Sequence, residues 1–236
     1  MCTLTLIKKT DQIILTHNRD ENINRPSPLD PQWHMHEGQK LWYPKDEKGG
    51  GTWMACSEDA VVCLLNGGFE KHEWAGPYRH SRGLVPLAAL AFKNTLDFVE
   101  SYDFSNLEPF TIVHINGDRT IYTVVWDGKK VHTRLVEEET AIWSSSTLYN
   151  ASIRADRSAI FQSFLRSKAQ PSPKEMINFH NIADIGNTEN NLIMKRESGV
   201  QTLSIFQVAL GTTNFEANYL DLQTNNDFFE AHSQMA

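Results

Sequence analysis

The sequence predicts an α+β fold in which antiparallel sheets carry helices segregated outside them, and three observations lead there. Patterned segments run in the order strands, helices, strands, without the strand–helix alternation that a parallel sheet needs. The extended segments alternate or form short apolar runs bounded by turn residues, while the helical ones show apolar residues three and four apart. No internal repeat, low-complexity tract or linker interrupts the 236 residues, so 1–236 is read as one domain. A chain of that size buries roughly 70% of its unfolded surface and needs no staples.

The elements follow from local signals. Residues Thr3 to Ile7 and Gln12 to Thr16 are extended runs with Lys8 to Asp11 as the turn, so the chain opens with a β-hairpin that leads into Asn18-Arg19-Asp20-Glu21. Residues 23–51 carry Pro26, Pro28, Pro31, Pro44 and the triplet Gly49 to Gly51, and read as an irregular loop bordering a site. Strands near Thr52 to Cys56 and Ala60 to Leu65 follow, ending in Asn66-Gly67-Gly68. Helical periodicity covers Ser81 to Tyr102 in Leu84, Leu87, Ala88, Ala91 and Phe92, then Leu96, Phe98 and Val99. Strands resume at Phe110 to Ile115 and Ile121 to Trp126, and Asp127-Gly128 reads as a two-residue hairpin turn into Lys130 to Val136. Trp143 to Thr147 is a short strand end, Arg154 to Ser167 an amphipathic helix, and Pro173 starts another helix to about Ile182. Gln201 to Ala209 and Phe215 to Leu222 form the last strands, and Gln223 to Ala236 is a polar tail in which FFEAH could dock as a short helix.

Composition excludes several classes of function. Twenty-two basic against 29 acidic residues give a formal charge of −7, and no stretch gathers the cations into a stripe. Nucleic acid, whose backbone is bound by clustered cations, is therefore not the expected partner. A polybasic membrane anchor is excluded for the same reason. The first apolar run is too short for a signal segment and no 18-residue apolar span occurs, so stable membrane insertion is not expected and the chain is read as cytoplasmic. Cys2, Cys56 and Cys63 are an odd count without a CxxC pair, which argues for reduced thiols and against a disulfide framework or a cysteine-rich zinc site.

Cys2 stands apart by position. An initiator Met before a small residue is generally removed, and removal leaves Cys2 with a free α-amine. A thiol nucleophile and an amine with a pKa of about 7.7 to 8.0 then occupy one residue, so no separate catalytic histidine is needed. The plain alternative is a small buried strand residue. Asn18 to Glu21 sit at the end of the same hairpin, where Arg19 would favour thiolate and Asp20 could hold the α-amine. Their plain alternative is a solvated turn of weak ion pairs.

Met1-Cys2-Thr3 at the start, the NRDE tetrapeptide Asn18 to Glu21, Arg25-Pro26, Gly51-Thr52-Trp53 and Leu65-Asn66-Gly67 together resemble the NRDE family, also called the transport and Golgi organisation 2 family. The resemblance continues through Ser81-Arg82-Gly83 and Ser144 to Tyr149, and so covers most of the chain in order. It implies an N-terminal nucleophile (Ntn) hydrolase-like four-layer αββα sandwich, similar to choloylglycine hydrolases and penicillin V acylases. Carried over residue by residue, it implies Cys2 as nucleophile, Arg19 and Asp20 as its support, and Asn66 as oxyanion donor, a role worth about 3 to 4 kcal/mol in the transition state. Asn18, Glu21, Arg25, Trp53 and Ser146 would contact the substrate, a small molecule or acylated compound cut at a non-peptide amide bond. Two departures stand out. The hydrolases space their pair as R-x-x-D, where this chain has Arg19-Asp20 and Asn22 at the third position; relatives often show Ser-Asn where this chain has Ser145-Ser146. The other implied function is non-catalytic binding or trafficking of a lipid or haem.

Other constellations carry less. His34-Met35-His36, His72 and His80 lack a complete ligand set at recognisable spacing, so no metal is assigned. Trp33, Trp42, Tyr43, Trp53 and Trp74 either line an apolar pocket or pack as core. Gly49 to Gly51 lacks the Lys-Ser/Thr of a phosphate loop, and no cofactor is implied.

Overall fold

In chain order the elements are β1 (Cys2–Lys8), β2 (Gln12–Asn22), β3 (Leu29–His36), β4 (Gln39–Lys45), β5 (Met54–Cys56), β6 (Val61–Asn66), α1 (Val85–Leu90), α2 (Thr95–Ser101), β7 (Phe110–Ile115), β8 (Ile121–Trp126), β9 (Val131–Leu135), β10 (Thr140–Ser144), α3 (Ala151–Ser167), α4 (Pro173–Ile182), β11 (Val200–Gly211), β12 (Asn214–Asp221) and β13 (Asn226–Ser233). The structure is a computed structural model that describes residues 2–233. It divides into two compact units, one comprising the residues through Arg25 with those from Glu138 onward, the other Pro26–Glu137.

The first unit is an antiparallel six-stranded sheet in the order β10-β1-β2-β11-β12-β13. The opening hairpin sets its register, with Thr5 opposite Thr16 and Cys2 opposite Arg19. The second strand is longer than the sequence suggests: β2 runs through the whole NRDE tetrapeptide to Asn22, because Asn18 and Asp20 find buried hydrogen-bond partners and need no solvent. Helices α3 and α4 cover one face, where Ile7, Ile14 and Ala209 pack against Phe161, Met176 and Phe179. Asn150 caps α3, and Ser172 with Glu175 forms a reciprocal capping box on α4, whose Pro173 occupies the first turn. The segment read as a polar tail instead contributes β13, an edge strand paired with β12 through Tyr219–Phe228 and its neighbours. Residues 234–236 of that segment lie outside the described residues.

The second unit is a seven-stranded meander in the order β3-β4-β5-β6-β7-β8-β9. Two of its strands, β3 and β4, replace the irregular loop expected over residues 23–51. Pro31 hid β3, but β3 is an edge strand and Pro is tolerated there without a ladder donor. The hairpin turn is Glu37-Gly38, with φ of +47° and +83°, the two positive values that a tight two-residue hairpin requires. The region expected as one helix breaks into α1 and α2, since Asn94 accepts from the backbone N–H groups of Leu96 and Asp97 and starts a new helix. The turn after β8 spans four residues rather than two, as Asp127 accepts from the N–H groups of both Lys129 and Lys130. Helices and sheet share an aromatic core in which Phe104 meets Phe98 edge to face, stacks on Phe110 and lies tilted against Trp126.

Candidate active site

Strand pairing in the first unit brings a polar row to one face of the sheet. Cys2 lies directly opposite Arg19, and Arg19 directly opposite Ser204, so the three side chains project from the same face of β1, β2 and β11. Ser145 extends the row, its N–H donating to the Cys2 carbonyl at 2.9 Å. The next row holds Leu4, His17 and Phe206. This is the face opposite α3 and α4, and Cys2 and Arg19 are both buried there.

The electrostatics of the thiol are contested. Burial pushes the Cys2 thiol up, the Asp20 carboxylate pushes it further, and the Arg19 guanidinium pulls it down. Burial also holds His17 well below the usual imidazole range, helped by His180 and Arg19, so the ring is neutral.

The other half of the NRDE motif points the opposite way. Asn18 and Asp20 alternate with Arg19 and project onto the helix-bearing face. Asn18 donates to the carbonyls of His180 (3.1 Å) and Leu192 (2.8 Å), and its Oδ1 meets His180 Nδ1 at 2.7 Å. Asp20 accepts from Tyr149 Oη at 2.5 Å and Thr202 Oγ1 at 2.7 Å. Buried Arg157 lies 3.7 Å over the Tyr149 ring and donates to Thr3 and to the carbonyls of Asn190 and Asn191. Burial raises the Asp20 carboxyl, against the pull of Arg157 and the two hydroxyl donors. Asn18 and Asp20 thus clamp β2 to the helices and to the 190–194 segment.

Of the other residues singled out by sequence, Glu21 shares the parity of Arg19 and forms a half-exposed ion pair with Arg25 at 3.8 Å. Ser146 is buried just beyond β10. Asn66 and Trp53 belong to the second unit: Asn66 ends β6 opposite Phe110, and Trp53 is buried just before β5. The structure therefore places Cys2 with Arg19 and, within that unit, does not bring Asn18 or Asp20 onto their face. Among the described residues no helix is long and apolar enough to cross a membrane, and no group of three or more His, Cys, Asp or Glu is arranged to hold a metal.

A family model described as Transport and Golgi organisation 2 matches residues 1–208. The chain belongs to that family. No curated protein matches this Transport and Golgi organisation 2 member in sequence. Among solved structures it is similar to penicillin V acylase from Agrobacterium tumefaciens, at 11% identity and a TM-score of 0.59, over 97% of this chain and 85% of that one. A mutant of conjugated bile acid hydrolase from Clostridium perfringens superposes with a TM-score of 0.55 at 11% identity, over 99% and 97% of the two chains. A second variant of the same hydrolase gives a TM-score of 0.51 at 12% identity, over 100% and 98%. The family member has the Ntn-hydrolase-like α+β fold that its motifs imply, two antiparallel sheets with helices.

Sequence reading missed His17, Ser145 and Ser204 in this family member. His17 was available, since two residues before Arg19 on an extended strand is the same face. Ser204 was not, because nothing local fixes the register of β11 against β2 across most of the chain, least of all past the bulge between Thr202 and Ser204.

Proposed function

We propose that the protein is an amidohydrolase that uses Cys2, freed by removal of Met1, to cleave a non-peptide C–N amide bond of a small or acylated molecule. The observation that carries this reading is the direct cross-strand pairing of Cys2 with Arg19 on one buried face. The thiol attacks the amide carbonyl carbon, its proton passing to the α-amine of the same residue. The tetrahedral adduct collapses as the C–N bond breaks, the α-amine returns the proton to the leaving amine, and an acyl-thioester remains on Sγ. Water then adds to the thioester, freeing the acid and the thiol. Arg19 offsets part of the penalty that burial places on thiolate. Asp20, hydrogen-bonded on the far face, keeps β2 and with it Arg19 in register. The similar structures are a penicillin V acylase and a conjugated bile acid hydrolase, which supports an amide substrate; at 11–12% identity they support it through the fold alone.

One observation favours a second reading, a binding protein for an apolar ligand: Cys2 is only 3% exposed and its thiol is pushed up, as for an inert buried cysteine. Turnover separates the two. Met1-free protein is assayed against a panel of N-acyl amides, with Cys2→Ala alongside. The hydrolase reading predicts release of acid and amine that falls at least about a thousandfold in Cys2→Ala, within the range measured for loss of a catalytic nucleophile. No release from any amide, with a lipid or haem co-purifying, would establish the binder instead.

A further inference from the structure

Two polar side chains on the Cys2 face are unpartnered among the described residues. His17 is 0% exposed and Ser204 1%, and among the described residues neither ring nitrogen of His17 nor the Ser204 hydroxyl has a hydrogen-bond partner. Register places His17 diagonally from Cys2, one row on, and Ser204 on the far side of Arg19 from Cys2, so that His17 and Ser204 are themselves diagonal neighbours beside Arg19. Diagonal neighbours in antiparallel sheets are about 7 to 8 Å apart between backbones, within reach of an aromatic side chain. Leaving buried polar atoms unmet is costly, so an arrangement with three of them on one face, next to a cysteine, is a site waiting for a partner.

We propose that His17 and Ser204 form a subsite beside Cys2 that binds an uncharged group carrying both a hydrogen-bond donor and an acceptor, an amide or a hydroxyl of the substrate. The inference rests on Cys2 being the reacting thiol and adds the chemical class of group held next to it. The donor and acceptor inventory decides the class. A neutral imidazole presents one N–H and one lone pair, and a hydroxyl presents one O–H and two lone pairs. A carboxylate, which only accepts, would leave the imidazole lone pair unmet; an ammonium, which only donates, would leave both donors unmet. An alkyl group would leave everything unmet. An amide or hydroxyl answers both kinds of demand at once. The neutral state of the ring agrees with this, since burial and the positive charge of Arg19 both oppose an imidazolium that could hold an anion. On the opposite face the same histidine chemistry is already satisfied, His180 being held by Asn18 and Thr5, and that contrast marks His17 as unassigned.

The test uses three thiol alkylators of similar size on the full chain: iodoacetamide, iodoacetate and 1-iodopropane. Peptide mass spectrometry assigns modification to Cys2 rather than Cys56 or Cys63, and each rate is divided by that of free cysteine with the same reagent. The expected result is a Cys2 preference for iodoacetamide over both others of about tenfold, the worth of one to two net hydrogen bonds. His17→Phe and Ser204→Ala should each erode the preference, and His17→Gln, which keeps a donor and an acceptor, should restore part of it. If Cys2 reacts but shows the selectivity of free cysteine, the subsite is refuted while Cys2 remains the reacting thiol, and His17 and Ser204 merely enclose a trapped water. If Cys2 reacts with none of the three, the reading of Cys2 itself fails and the subsite falls with it. The wild-type selectivity decides the question even if a variant does not fold.

Discussion

The helix-bearing faces of the two sheets are built from different materials. In the second unit the face is aromatic and aliphatic: Phe98, Phe104, Phe110 and Trp126 fill it, and Trp126 Nε1 finds a carbonyl at Leu107. In the first unit the apolar patch around Phe161 and Phe179 gives way, toward the ends of β1 and β2, to a buried network of Thr3, Thr5, Asn18, Asp20, Tyr149, Arg157, His180 and Thr202. Area burial tolerates any well-packed apolar set, whereas a hydrogen-bonded network accepts one register. The difference teaches why the NRDE motif is half catalytic candidate and half clamp. Arg19 faces Cys2, while Asn18 and Asp20 lock the strand that carries it.

The largest effect that would test this contrast comes from Arg157. Its removal strips the Asn190 and Asn191 carbonyls of their donors and leaves the buried Asp20 without its cation, so Arg157→Met should cost about 3 to 5 kcal/mol in denaturant unfolding. Arg157→Lys should recover little of it, because a point charge cannot serve three acceptors spread around a planar fork. Phe98→Ala in the other unit should lose a similar amount through its cavity, yet Phe98→Leu should recover most of it. Equal recovery in the two units would erase the distinction.

Volume-conserving changes sharpen it further. Thr5→Val keeps the shape but leaves His180 Nε2 without the hydroxyl at 2.7 Å, and should cost about 1 to 3 kcal/mol. Ile112→Leu in the aromatic unit should cost under about 1.5 kcal/mol.

Acid should separate the units by a smaller margin. Burial holds His180 at about 3 and His114 at about 4, both below the ordinary 6.5. A lowered imidazole means that the unfolded chain binds more protons, so each contributes stability above pH 6.5 that is lost as pH falls toward its folded value. His180 has the wider window, and His180→Gln should flatten the acid limb of the stability curve more than His114→Gln does. Asp20 runs in the opposite sense: its carboxyl is raised, so its contribution declines as pH rises through its folded pKa. Stability measured from pH 8 to 3 in the two variants checks the ranking.

How much of this was legible in the sequence divides by the reach of the signal rather than by unit. The strands Phe110–Ile115 and Ile121–Trp126 and the helix from Pro173 to about Ile182 were readable, because local periodicity and a proline in a helix's first turn mark them. β3, β4 and β13 were not: β3 and β13 are edge strands, where prolines and polar residues are allowed, and β4 is an interior strand that meets only the three-residue β5 on one side. Cys2 and Arg19 were named from motif and position, and the structure pairs them across β1 and β2. Asp20 was read as a partner of the α-amine, but strand alternation turns its carboxylate to the helices, a consequence of β2 continuing through the motif instead of ending before it. The members contributed by β11 depend on long-range pairing that no local pattern encodes.

If Cys2 is the attacking thiol, it carries the acyl group as a thioester during turnover, and the mass of the peptide beginning at Cys2 reads that out. Met1-free protein is mixed with an N-acyl amide that it turns over and quenched in acid within a fraction of a turnover. The account predicts that this peptide gains the mass of the acyl group, that the gain is lost on hydroxylamine treatment, and that one equivalent of amine appears in the same interval. Amine release with an unmodified Cys2 peptide, or an adduct on Cys56 or Cys63 instead, would contradict it.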